Sequence, residues 1–428
     1  VTATTAQTPP PAAPRVGKPK TGRARLSPAI VLLIVAAALI LVSAVRAVTG
    51  AEDITSAGQV AGALSGAVPI GLAGLAGLWA ERAGVVNIGL EGMMILGTFF
   101  GAWAGWQSNP WVAVLAGVLG GAAGGLVHAV VTVTFGVDHI IAGVAINILA
   151  TGVTTYLAKK LFTTGDAVEK GGTPKQSPPM SDIKHFTVPG LSHWLSELQA
   201  HHWFLISDIA GIVGGLVTNI SSLTLLAVVL FVLTFFVLWR TSFGLRLRSC
   251  GENPTAAESL GVNVYTYKYV AVIISGALAG LGGVFLAIQT HFYLEGQTGG
   301  RGYIGLAAMI FGNWRPGGLA VGAGLFGYAD SLQLRNGGDS VHALLLLIAL
   351  LLVVMGGWKL YRKVYISGTV ALAFAVLLTV WYMLTDTVPD EVVQGTPYVV
   401  TLLVMGLSAQ RLRMPKADGL PYRKGQGG

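Results

Sequence analysis

Residues 223–239 read LTLLAVVLFVLTFFVLW. None of them is charged, and apolar side chains face every direction around a helix, so no polar face is left for water. At a rise of about 1.5 Å per residue, this run and its flanks cross the ~30 Å hydrocarbon core of a bilayer as a helix. The segment does not alternate polar with apolar, as a strand of a membrane barrel must over its roughly ten residues. Similar runs recur along most of the chain. Hydrophobic residues make up 53% of it and charged residues only 11%, whereas a soluble chain carries about a quarter charged residues. The sequence therefore predicts an all-α polytopic membrane protein and excludes a soluble globular one.

The other runs place spans at about 28–46, 57–80, 85–105, 111–135, 139–157, 221–239, 267–289, 302–334 with a break, 341–357, 368–385 and 396–409, or ten to twelve crossings. The first run, SPAIVLLIVAAALILVSAV, exceeds the ~7–15 apolar residues of a signal peptide and is read as a span. Residues 1–26 carry Arg15, Lys18, Lys20, Arg23 and Arg25 with no acid among them, the composition of a disordered basic tail. Further basic clusters stand at Arg240, Arg246 and Arg248, at Lys359, Arg362 and Lys363, and at Arg411, Arg413 and Lys416. Positive charge gathers on the cytoplasmic side, so both termini, including a tail at 411–428, are expected there, around a transmembrane body at 27–410. The long connection at 158–220 then falls outside, its lysines matched by acids. It reads as an irregular cap with a short surface helix at LSHWLSEL, serving either as a docking surface for an external partner or as a solvated loop.

Several chemistries find no support. Cys250 is the single cysteine, which excludes an internal disulfide and a thiolate cluster. The adjacent His201 and His202 read as a surface feature, and neither a phosphate-binding GxxxxGK[ST] loop nor an HExxH motif is present. No cofactor, metal or nucleic acid is expected.

Glycine is abundant, at 59 residues. Gly58, Gly62 and Gly66 recur every fourth residue, as do Gly117, Gly121 and Gly125, and Gly276 with Gly280. Small residues at that spacing let two backbones approach closely, so a tightly packed bundle is expected. Pro69 and FGNWRPGG (311–318) read as interruptions of helices, which are tolerated at membrane depth only beside protein or a water-filled cavity.

Two polar stretches stand out. In ERAGVVNIGLEG (81–92), Glu81 and Arg82 end one span, Gly84 permits a reversal, and Asn87 and Glu91, four residues apart, begin the next. Glu91 would lie about 9 Å along the new helix from Val85, facing protein or water. It either pairs with Arg82, caps a neighbouring helix end or lines a permeation path. In RTSFGLRLRSCGENPTAAESLGVNVYTYKY (240–269), the part NPTAAESLG reads as a short helix. Asn253 is its N-cap, Pro254 opens its first turn, Ala256 and Ala257 form a small face, and Gly261 is the stop. Such a helix docks into another protein's groove or simply connects two spans.

ERAGVVNIGLEGMM, GENPTAAESLGV with ISGALAGLGG, and GYIGLAAMIFGNWRPGG follow one another in an order that resembles the membrane permeases of bacterial ABC importers of the ribose and branched-chain amino acid type. NIGLEGMM looks most like the nucleoside or simple-sugar permeases. The resemblance spans about 57–357 and implies a permease that performs no covalent chemistry. Its implied partners are a separate ABC ATPase, a second permease subunit, an extracytoplasmic solute-binding lipoprotein, membrane lipid and a small polar solute. It further implies a coupling loop within 240–266 that meets the ATPase through Gly251, Glu252, Asn253, Ala256, Ala257 and Gly261. A nucleoside carries a flat base and a hydroxylated sugar, so its path is expected to mix amides with aromatic and thioether surface. Asn87, Glu91, Met94, Asn147, Met309 and Phe311 are the candidates. An ion-coupled transporter would need acids near the midplane, where the spans offer little beyond Glu91. GVDHIIAGVAINILA (136–150) and GGRGYIGLAAMIFGN (299–313) share a spacing of small and apolar residues after glycine-rich spans, as two repeated halves would.

Overall fold

The computed structural model describes residues 28–335, 337–389, 391–396 and 412–425. The expected basic tail (1–26) and residues 397–409 of the last expected crossing lie outside them. The first helix, α1 (Pro28–Thr49), is followed by α2 (Ala57–Arg82), α3 (Leu90–Gly105), α4 (Pro110–Ala129) and α5 (His139–Leu161). The long connection after α5 holds α6 (Asp166–Glu169), α7 (Leu191–Ala200) and α8 (Ile206–Val217). Beyond it run α9 (Ser222–Arg240), α10 (Ser242–Glu252), α11 (Pro254–Ser259), α12 (Val264–Thr290), α13 (Arg301–Phe311), α14 (Pro316–Leu334), α15 (Gly338–Tyr361) and α16 (Tyr365–Leu384). The one sheet among the described residues is a two-residue pairing of His185–Phe186 with Ile220–Ser221 in this connection.

Eight helices are long and apolar enough to cross a bilayer: α1, α2, α4, α5, α9, α12, α15 and α16. Among the described residues this is fewer than the ten to twelve crossings expected, because two expected spans do not form single long apolar helices and a third, at 396–409, lies almost wholly outside those residues. The span expected to start at 85 begins only at Leu90, since Val85–Gly89 is not helical. The span expected at 302–334 is the pair α13 and α14, broken where Asn313 and Trp314 adopt φ of +54° and +53°. That break is held from outside itself: the Trp314 carbonyl accepts from Arg82 Nη2 at 2.5 Å, and the Trp314 indole donates to Glu81 at 2.5 Å. Pro69 does not interrupt its helix, contrary to the reading of the sequence, as α2 runs through it. Close packing explains the tolerance, because α12 lies so near that a Cβ on Gly282 would stand 3.1 Å from the Pro69 carbonyl oxygen.

The glycine rows decide the packing. A Cβ on Gly121 of α4 would lie 2.6 Å from Gly280 Cα of α12, and one on Gly276 of α12 would lie 2.8 Å from Gly125 Cα of α4. The two backbones thus touch reciprocally, each through its own glycine row. Gly97 brings α3 onto the same spot, 2.5 Å from Gly280 Cα on the same construction. The row on α2 does the same against α14, where a Cβ on Gly66 would meet the Gly327 carbonyl at 3.2 Å. The two echoing sequences open α5 and α13, each directly after one of the crossed glycine helices, α4 and α12.

Beside the bundle, α8 lays Gly211 on Thr55, just before α2, and Gly215 on the start of α2. It is fixed there by Asp208, which pairs with Arg46 of α1 at 2.7 Å and accepts from Thr55 at 2.5 Å, all three groups buried.

Candidate functional site

Helix α13 has 11 residues, about 16 Å of helix or half the ~30 Å hydrocarbon thickness. Its C-terminal end adjoins Trp314, which is tied to Glu81 and Arg82 at the end of α2. The first N–H groups of α13 have no intrahelical acceptors and need partners from elsewhere. Glu91 supplies the acceptors: its carboxylate takes Gly300 N–H at 2.9 Å and Gly302 N–H at 2.7 Å. Gly302 is needed for the approach, since a Cβ there would stand 2.7 Å from Glu91 Cα. Of the three roles open to Glu91 in the sequence, the cap on a neighbouring helix is formed. The geometry differs from expectation in one respect: Glu91 sits in the first turn of α3, not 9 Å into a helix begun at Val85.

Asn147 of α5 closes the same joint. Its Oδ1 accepts from Gly92 N at 2.7 Å, and its Nδ2 donates to the Ile88 carbonyl at 3.0 Å and to Tyr303 Oη at 2.8 Å. One side chain thus ties the non-helical segment before α3, the first turn of α3 and α13 to α5. Asn87 is buried beneath it and donates to Ser275 Oγ of α12 at 2.9 Å.

Beside this joint opens a cavity of about 510 Å³, within the ~300–1,000 Å³ range of small-molecule sites. Asn147, Thr151 and Thr155 line it from α5, Tyr303 from α13, and Glu91 and Glu295 supply carboxylates. No lysine, arginine or histidine is among its lining residues. Thr155 donates to Glu295 at 2.8 Å, and the Glu295 amide donates to the Lys175 carbonyl at 2.9 Å, so the connection between α5 and α9 fixes this wall. Of the six sequence candidates, Glu91 and Asn147 reach the cavity and the other four do not. Met94 is buried under Gly282 and Gly283 of α12, Met309 against Gly77 of α2, and Phe311 packs on Gly322 of α14. The thioethers and this ring fill gaps between helices. Thr151, Thr155, Glu295 and Tyr303 escaped the reading of the sequence. The i, i+4 threonines on an otherwise apolar helix and the lone acid between two spans were the available signals.

A second site stands at the far end of α10. Asn253 caps α11 as expected, accepting from Ala256 N at 3.0 Å, Pro254 opens the helix, and Gly261 ends it at φ +79°. Two of the residues expected to meet the ATPase, one of them from the small face, are buried. Ala257 is buried against Cys250 and Val264, and Gly251 is buried where a Cβ would lie 3.0 Å from Gly84 N. Both hold the loop to the body of the protein. Glu252, Asn253, Ala256 and Gly261 are exposed, and Leu260 beside them is 84% exposed. A leucine closing a short helix reads as an inward anchor in the sequence, so its outward placement was not legible.

Residues 59–356 match the family described as branched-chain amino acid transport system / permease component. The chain belongs to this permease family. It is 33% identical over 369 residues to the guanosine ABC transporter permease protein NupQ of Bacillus subtilis (strain 168), covering 84% of this chain and 94% of that one. It is also 33% identical over 379 residues to the nucleoside ABC transporter permease protein NupC of Lactococcus lactis subsp. cremoris (strain MG1363), covering 85% and 96%. The putative glucose ABC transporter permease protein TsgC13 of Haloferax volcanii is 32% identical over 283 residues, 66% of this chain and 78% of its own. No solved structure matches. The protein is thus a multi-pass permease of an ABC transport system, and members of this kind are membrane subunits, not enzymes. The family match includes the capped joint, the cavity and the loop at α11; it leaves out α1, α16 and residues 412–425.

Proposed function

We propose that this permease forms half of an import pathway for a nucleoside, with the cavity at the Glu91–Asn147 joint as a station on that path. The observation that carries the reading is the character of the cavity. It offers threonine hydroxyls, a tyrosine ring with its hydroxyl and carboxylate oxygens, but no cation, which suits an uncharged solute with an aromatic part and several hydroxyls. The relatives named for guanosine and nucleosides support the same choice. The relative named for glucose supports a simple sugar as the second reading. A second permease subunit completes the pathway, a solute-binding lipoprotein delivers the solute from outside, and both termini face the cytoplasm. In the reconstituted complex, labelled guanosine or another ribonucleoside is expected to accumulate on ATP addition, undiminished by excess ribose. Ribose uptake undiminished by excess nucleoside would overturn the choice of substrate and leave the permease standing.

ATP is hydrolysed on a separate chain that docks on the exposed side of α11, around Leu260, Ala256 and Glu252. Leu260→Glu places a charge on that surface without touching the core. Solute-stimulated ATP hydrolysis is expected to fall roughly tenfold or more, with the thermal midpoint of the isolated permease unchanged. Normal stimulation in this variant would move the docking surface elsewhere.

A further inference from the structure

Two carboxylates line the cavity, and only one of them has an oxygen left for a solute. Glu91 spends one oxygen on Gly300 N and the other on Gly302 N. The carboxylate of Glu295 receives a single hydrogen bond among the described residues, from the Thr155 hydroxyl to Oε1 at 2.8 Å, and its Oε2 receives none. Glu295 is exposed, yet the backbone that carries it is fixed. The Gln297 amide donates to the Leu294 carbonyl at 3.2 Å with Gly296 at φ +81°, so Glu295 stands at the second position of a turn whose left-handed third residue is that of type II. The Leu294 amide donates to Gln297 Oε1 at 2.7 Å, and the Glu295 amide to the Lys175 carbonyl at 2.9 Å. Two residues earlier, Tyr293 is buried, exchanges hydrogen bonds with Ser177 and packs its ring against Phe99 and Phe162. A carboxylate held in this way meets a solute at little ordering cost.

The other polar groups of the cavity are of a different kind. The hydroxyls of Thr151 and Tyr303 can both donate and accept, which suits the hydroxyls of a sugar, since these do the same. An ionised carboxylate only accepts, and its best match is two donors side by side. No lysine, arginine or histidine lines the cavity to take that place. Guanine carries such a pair on one edge, the ring N1–H and the exocyclic amine on C2. Hypoxanthine keeps the ring N–H alone, and adenine and cytosine set an amine beside an acceptor nitrogen. A ribose diol also offers two donors, but its oxygens are acceptors as well, and the threonine and tyrosine hydroxyls answer both functions.

We propose that Glu295 is the specificity-determining residue of this cavity: its carboxylate takes the paired N–H donors of a base edge such as that of guanine, and Thr155 aims it. This rests on the cavity being a station for a nucleoside. The permease then selects among nucleosides itself, after any selection by the solute-binding protein. A base lacking the second donor leaves one acceptor of Glu295 unanswered, which is how a site built around hydrogen bonds rejects an analogue.

The reconstituted complex is compared with complexes carrying Glu295→Gln or Thr155→Val, all with the same binding protein, by uptake of labelled guanosine, inosine and 2′-deoxyguanosine. Comparing the guanosine-to-inosine ratio of kcat/KM between chains cancels the binding protein's own preference. Glutamine turns an NH₂ group toward one of the two donors of guanine, whereas inosine, with one donor, still finds the remaining oxygen. The ratio is expected to fall about tenfold or more in Glu295→Gln, as for loss of one hydrogen bond to a charged group. It is expected to fall about threefold in Thr155→Val, which keeps the carboxylate and removes its guide. Equal ratios in the native and Glu295→Gln complexes overturn the proposal and leave the nucleoside reading standing. A fall of guanosine uptake relative to 2′-deoxyguanosine, with the inosine ratio constant, places the carboxylate on the sugar and overturns it as well. Uptake of none of these nucleosides by the native complex removes the nucleoside reading and the role of Glu295 together.

Discussion

A Gly121→Leu chain is expected not to fold. The first atom of the new side chain would lie 2.6 Å from Gly280 Cα and closer still to the Gly276 carbonyl oxygen. Both are backbone atoms of a helix that is itself pressed onto α3 at Gly97 and onto α2 at Pro69. Overpacking against movable side chains costs about 1–3 kcal/mol; here no side chain can rotate away, and α4 and α12 must separate. In a bilayer, separated helices recover their apolar contacts from lipid, so nothing drives them back to a poorer fit. The measurement is the yield of monodisperse protein after detergent extraction, expected at under about a tenth of the native yield. Gly324→Leu is the control, because its Cβ meets nothing within 4 Å, and its yield is expected to match the native chain. Equal yields for the two variants would remove the glycine crossing as the organising contact.

Loss of the Glu91 carboxylate is expected to be nearly as severe. In Glu91→Ala, the N–H groups of Gly300 and Gly302 lose acceptors at 2.9 and 2.7 Å, and each such bond to a charged group is worth about 1.5–3 kcal/mol. Glu91→Gln keeps one acceptor and turns an NH₂ group toward a second donor, so it falls between. Uptake by the reconstituted complex is expected to drop about tenfold or more in the alanine variant and by less in the glutamine variant, with thermal midpoints falling in the same order. The capping role lowers the amount of correctly assembled protein, so the KM of the residual uptake is expected to stay near the native value. A raised KM at an unchanged thermal midpoint would instead make Glu91 a substrate ligand and nothing more.

The paired roles of this joint explain why its sequence is polar inside so apolar a chain. Asn147 uses its three bonds on Gly92, Ile88 and Tyr303, and Glu91 uses both oxygens on α13. What remains to meet a solute is the ring and hydroxyl of Tyr303, the α5 threonines and Glu295. The groups that form the site are therefore mostly distinct from those that form its wall.

The sequence alone determined the class of the protein, because an uncharged run such as 223–239 has only one stable environment and backbone in lipid has only one way to pair its groups there. It also determined α11 to the residue, since Asn253, Pro254 and Gly261 act on the backbone within a few positions of themselves. The glycine rows announced close packing for the same local reason: they mark a groove on one helix face. What fits the groove was not legible, as Gly121 and Gly276 are distant in the chain and spacing does not name a partner. Direction was equally hidden. Ala257, Gly251 and Leu260 look alike as small or apolar residues in one loop, but the first two face the body of the protein and the third faces away. Met94 and Met309 could not be told from pathway residues, because the same thioether fills a gap or lines a cavity depending on what lies opposite. The seat of residues 412–425 was beyond reach altogether: it depends on Arg413 meeting Asn313 and Ala417 meeting Gly251 from the far end of the chain, and only the tertiary structure brings such distant groups together.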